Sequence, residues 1–133
     1  MPAQDIAALL LTALLFGGMT LFSSAFAAFL FKSLPADRAG ALLRRAFPLF
    51  YLWVIATASL AASFRFSRDS LGAAILAAVA LSAVPARQWL MPAINRATDR
   101  GDKSSFALLH GLSVVITLGH IAATAVVLVR FLL

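Results

Sequence analysis

The sequence predicts an all-α integral membrane protein, an antiparallel four-helix bundle with up-down topology. Three observations carry this expectation. Only 12% of the 133 residues are charged, about half the share of an ordinary soluble domain. The mean hydropathy is +0.97, so most of the chain expects an apolar solvent. Four long runs also lack any charge, at 6–31, 46–64, 70–86 and 104–129, each near the roughly 20 residues that cross the hydrocarbon as a helix.

The third run reaches about residue 90 when Arg87 snorkels to the interface, where Trp89 also belongs. Spans are therefore expected at 6–31, 46–64, 70–90 and 104–130 of one transmembrane domain, 1–133. Stretches such as IAALLLTALLF and AAILAAVAL lack the polar alternation of barrel strands and are rich in good helix formers. The first run ends near Ala25-Phe26-Ala27, as a cleaved leader would. However, the residues before it contain only Asp5 and no Lys or Arg, so the run is expected to be retained as a helix.

Orientation follows from the basic residues, which stay on the cytoplasmic side in short loops. Segment 32–45 carries Lys32, Arg38, Arg44 and Arg45, and segment 91–103 with its flank carries Arg87, Arg96, Arg100 and Lys103. The opposite side has only Arg65, Arg68 and Arg130. Both loops are expected in the cytoplasm, with both termini on the non-cytoplasmic side of a bacterial inner membrane. Topology thus explains most of the net charge of +6. A nucleic-acid surface is not expected, because the loops are too short to form one.

Between the spans, KSLPADRAGALLRRAF reads as an interfacial segment, with Pro35 ending helix one, Asp37 capping a new turn and Pro48 marking the start of span two. Pro85 and Pro92 predict an end or bend of helix three. INRATDRGDKSS is the one strongly polar stretch and reads as a solvated loop. Ser104 or Ser105 is expected to cap helix four, with Asp102 near its positive end. Gly17-Gly18 reads as close packing or a kink. Phe22, Phe26 and Phe29 are expected to meet lipid or a partner helix.

On helix four, His110, Ser113, Thr117, His120 and Thr124 follow spacings of three and four and fall within about 80° of one another. This polar stripe is expected to face the bundle interior, because lipid offers no hydrogen bonds. Asp5, Thr12, Thr20 and Ser23 on helix one, and Tyr51, Thr57 and Ser59 on helix two, are the polar groups available to meet it. Interhelical packing accounts for such a stripe. A proton path or polar cavity is the functional alternative, with His110 and His120 as its ionisable members.

No cofactor is expected. Haem is the exception, with His110 or His120 as the metal ligand. Ten helical residues separate the two imidazoles by about 15 Å, so they cannot share one iron within a monomer. With no cysteine, thiolate metal sites and iron–sulfur clusters are excluded. Met1, Met19 and Met91 make no copper cluster with the histidines. No metalloprotease, hydrolase or phosphate-loop motif is present, so no catalytic site is recognisable.

The blocks GGMTLFSSAFAAFLFKSLP, RRAFPLFYLW, MPAINRATDRGD and FALLHGLS together resemble the small bacterial four-helix proteins of a domain of unknown function shared with eukaryotic transmembrane protein 205. The resemblance covers most of the chain and points to Gly18, Phe26, Pro35, Pro48, Tyr51, Pro92, Asn95, Asp99, His110, Gly111 and Ser113. It implies a four-helix membrane fold and no particular reaction. The architecture is more distantly similar to copper-resistance membrane domains and haem-synthesis oxidases, but helices one to three here contain no histidine.

The resulting functional expectation is an accessory, interaction or structural subunit of a membrane assembly. Its partners would be the lipid bilayer and other membrane subunits or a second copy. A small transporter or proton conductor using the His110–His120 stripe is the alternative, and a haem-binding redox protein ranks behind it.

Overall fold

The computed structural model describes all 133 residues and contains helices and turns without strands. Four helices are long and apolar enough to cross a membrane: α1 (Ala3–Ser33), α2 (Ala36–Arg65), α3 (Ser70–Asp99) and α4 (Lys103–Arg130). At 1.5 Å per residue each is more than 40 Å long, beyond the roughly 30 Å of hydrocarbon, so their ends reach the headgroup layers. Short turns join them, which makes sequence neighbours antiparallel and gives the up-down bundle. The helices form a ring, with α2 packed against α1 and α3, and α4 closing it against α1 and α3.

The core is built mostly from small and medium side chains. Leu15, Met19, Val54, Leu76, Val79 and Val127 fill the centre, while Ala58 and Ala61 of α2 and Ala73, Ala80 and Ala83 of α3 are buried along the pair. Alanines let the two backbones approach closely, and close contact is what joins helices where lipid competes for apolar surface. A second, smaller cluster of Leu30, Ala39 and Leu43 holds the end of α1 to the start of α2.

Several expectations for the helix ends are corrected. There is no separate interfacial segment: α2 runs unbroken from Ala36 through Pro48 to Arg65. Its N-cap is Pro35, without a side-chain cap, and Asp37 lies inside the first turn. Pro48 denies the Arg44 carbonyl its helical partner, yet the helix continues, and Arg87 Nε of α3 donates to the Pro48 carbonyl at 2.9 Å in the adjoining turn. That bond ties α3 to α2 beside the proline but does not pair the Arg44 carbonyl.

Helix three does not end at its prolines either. Between Pro85 and Pro92 the backbone widens into a π-helical turn, Ala86–Leu90, and the Met91 N–H reaches the Ala86 carbonyl five residues back. The helix then carries on to Asp99 and α4 starts at Lys103, so only residues 100–102 of the expected polar loop are non-helical. Gly101, with φ of 66°, takes the left-handed conformation that closes a helix, and Asp102 N–H bonds the Ala97 carbonyl at 3.0 Å. Asp102, rather than Ser104 or Ser105, is the N-cap of α4 and accepts from the Ser105 N–H at 3.1 Å.

A second π-helical turn, Leu21–Phe26, interrupts α1. Within it Phe22 turns inward, stacking on Phe50 with centroids 4.3 Å apart and meeting Phe47 edge-on. Phe22 therefore packs within the chain, while Phe26 and Phe29 stay exposed. Gly18 and Gly17 also divide their roles. A side chain at Gly18 would run into the Trp53 indole, whereas Gly17 faces open space.

Candidate functional site

The polar side chains of α4 meet the other helices along one seam. At 100° per residue, the buried members of α4 are Val127, His120, Ser113 and Thr124, and they span about 60° of the helix. Thr117 lies at the edge of that arc and is half-buried. His110 lies about 70° from its centre and is exposed, its ring stacked on Phe106 with centroids 5.4 Å apart. The expected inward stripe thus keeps Ser113, Thr117, His120 and Thr124 and loses His110. Gly111 is exposed with open space around it.

His120 joins α4 to α3. Its Nε2 lies 2.8 Å from Ser82 Oγ, and the Ser82 hydroxyl also lies 2.7 Å from the Ala78 carbonyl. A hydroxyl has one proton to give. Whether that proton goes to the Ala78 carbonyl or to the imidazole depends on the His120 tautomer, and in either case the Ser82–His120 bond ties α3 to α4. Thr124 donates to the His120 carbonyl at 3.0 Å, which spares lipid an unpaired hydroxyl.

Tyr51 crosses the ring from the opposite corner. It is 1% exposed, and its hydroxyl is buried without a hydrogen-bond partner. The hydroxyls that face it are those of Ser113 and Thr117, neither of which donates to its own helix. Thr12 and Thr57 are buried nearby in the sequence positions expected to look inward, with Thr12 donating to the Ala8 carbonyl at 2.7 Å. Thr20 and Ser59, grouped with them from the sequence, are exposed instead. Ser23 is half-buried and bonds the Met19 carbonyl.

Charged groups gather at the two ends of the bundle. In the turn between α2 and α3, Asp69 accepts from Arg130 Nη2 at 2.6 Å and Nε at 2.8 Å, and from the Gly72 N–H at 3.0 Å. The Arg65 guanidinium lies 3.9 Å from the Phe131 ring centre and also reaches the Arg130 carbonyl at 3.3 Å. The Arg130 guanidinium holds the Asp69 carboxyl well below the usual carboxylate range, against the opposing effect of burial. Asp5 of α1 pairs with Arg68 at 3.4 Å. Sequence reasoning missed this clasp, because its partners lie about 60 residues apart and nothing in their local pattern links them.

At the other end Arg44 grips Asp99 at 2.8 and 3.4 Å and donates to the Asn95 carbonyl at 3.2 Å. Asn95 and Asp99 therefore belong to a helix-to-helix contact rather than to a solvated loop. Asp102 also lies below the usual carboxylate range, held first by Ser105 through its hydroxyl and backbone N–H.

No three side chains of the His, Asp and Glu type converge on one point. His110, exposed, has a ring free of hydrogen bonds, and the His120 Nε2 is engaged with Ser82. The seam can therefore hold a neutral hydrogen-bond network, and it contains one imidazole rather than two.

Comparison with curated proteins and with solved structures finds no significant match. A protein family does match, over residues 10–103. That stretch contains Gly18, Pro35, Pro48, Tyr51, Pro92, Asn95 and Asp99, and it stops short of His110, Gly111 and Ser113. The chain belongs to this family, described as a domain of unknown function, DUF4149.

Proposed function

We propose that this protein is a non-enzymatic accessory subunit that joins a membrane assembly through α1. One observation carries the reading. Ala13, Gly17, Thr20, Ser24 and Ala28 recur at spacings of three and four along α1, and all are exposed. The Gly17 position faces open space. Thr20 and Ser24 spend their hydroxyl protons on the Phe16 and Thr20 carbonyls, so the stripe presents a smooth, narrow face. Such a face lets a second helix approach closely, the main source of attraction between helices in lipid.

The same reading puts both termini outside the cytoplasm of a bacterial inner membrane, with segments 32–45 and 91–103 inside, on the support of the basic residues concentrated there. Kinship with transmembrane protein 205 is part of the proposal and rests on the blocks GGMTLFSSAFAAFLFKSLP, RRAFPLFYLW, MPAINRATDRGD and FALLHGLS. With His110 on the outer face, a proton relay along α4 would have His120 as its only imidazole.

The test is the size of the complex released from native membranes by a mild detergent. The wild type should migrate as an assembly larger than one chain, and Gly17→Leu should release the folded monomer. A wild-type chain that is already monomeric would contradict the proposal.

A further inference from the structure

An open groove of about 340 Å³ runs between α3 and α4 on the face turned to lipid, lined by Pro85, Trp89, Ala93, Leu109, Leu112 and Ile116 among others. The prolines and the π-helical turn at Ala86–Leu90 explain its position, because the widened backbone changes the register of α3 against α4. A helix about 10 Å across would find less than one turn of room in this volume, and the rim is bulky rather than small. The groove suits a thin, flexible apolar chain.

Its end toward the headgroups is positively charged. Beyond Ala93 the same face of α3 carries Arg96 three residues on, and Arg100 follows as the residue that caps the helix end. Arg100 pairs with Asp102 at 3.6 Å, whereas Arg96 is exposed and enters no ion pair. Lys103, exposed at the start of α4, adds a second unpaired cation to this corner. Trp89, 72% exposed, stands on the wall of the groove itself, two helical turns before Arg96.

We propose that the groove seats one acyl chain of an anionic phospholipid, whose phosphate Arg96 holds. A guanidinium presents two parallel N–H donors to a phosphate and keeps its charge at any physiological pH. The site is separate from the α1 stripe and stands or falls independently of it.

Native mass spectrometry of the purified protein, titrated with phosphatidylglycerol or phosphatidylcholine of matched chains, tests the proposal. Both lipids carry a phosphate, but choline cancels its charge, so phosphatidylglycerol should bind about fivefold more tightly, the contribution of one cation facing a net negative headgroup. Arg96→Gln should remove that preference, Arg96→Lys should keep part of it, and Arg38→Gln, on α2, should leave it intact. Ala93→Trp, which fills the groove, should weaken both lipids, with helical circular dichroism confirming that the variant is folded. Equal affinity for the two lipids would overturn the proposal. So would an Arg38→Gln effect equal to that of Arg96→Gln, competition by glycerol phosphate as effective as by the lipid, or a protein rather than a lipid held at this groove.

Discussion

Arg130 and Asp69 form a two-pronged ion pair that fastens the last turn of α4 to the turn between α2 and α3. Both nitrogens of the fork lie within 2.8 Å of the carboxylate. The same carboxylate caps α3 through the Gly72 N–H, so one side chain anchors three helices.

Asp69→Asn should therefore lower thermal stability in detergent, because asparagine can still cap α3 but carries no charge for Arg130 to pair with. The pH dependence has a definite sign. A carboxyl whose pKa is lower in the folded state stabilises it above the unfolded value, about 3.9, and loses that contribution as pH falls toward the folded value. Melting points should hold steady from neutral pH to about 4 and fall below it. The fall should be shallower in Asp69→Asn, with Asp102 supplying what remains.

Gly18 and Gly40 predict opposite effects in helices of similar length. Gly18→Leu would drive a side chain into the Trp53 ring and should cost about 1–3 kcal/mol through overpacking. Gly40 sits within α2 with open space beside it, so Gly40→Ala should gain about 0.5–1 kcal/mol. Thermal midpoints of the two variants provide the check.

The two histidines should separate cleanly by mutation. A double-mutant cycle on Ser82→Ala and His120→Ala should show coupling of about 0.6 kcal/mol, the usual size of a hydrogen bond between membrane helices. His110→Ala should stay within about 0.5 kcal/mol of wild type, as surface changes do. Strong coupling of His110 to Ser82 would mean that α4 is rotated from its position here.

Arg44 and Asp99 are a geometrically good but exposed pair, with side chains 39% and 62% accessible. Asp99→Asn should cost no more than about 1 kcal/mol, and the effect should shrink as salt is added. Melting curves at low and high ionic strength test both points.

The number and type of the helices were legible in the sequence because hydrocarbon leaves a chain little choice. Every backbone group must bond within its own segment, and charges must stay near the ends. Helix ends were harder to read. Pro48, Pro85 and Pro92 look like stops, yet α2 and α3 pass through them, with a widened π-helical turn between Pro85 and Pro92. The seam was legible to within its angular width. His110 lies at the edge of the 80° stripe, and only packing against α1 and α3 reveals that the buried arc is centred on His120 and Ser113. The Arg130–Asp69 clasp and the diagonal reach of Tyr51 join residues distant in sequence, which no local spacing encodes.

A photoreactive residue at position 17 in native membranes tests the central claim most directly, with position 81 as control because Leu81 is 72% exposed on α3. The account predicts one protein adduct of defined mass at position 17, lost when Ala13 and Ala28 are enlarged to leucine, and lipid adducts alone at position 81. Lipid adducts alone at both positions would show that α1 faces only the bilayer and would contradict the accessory role.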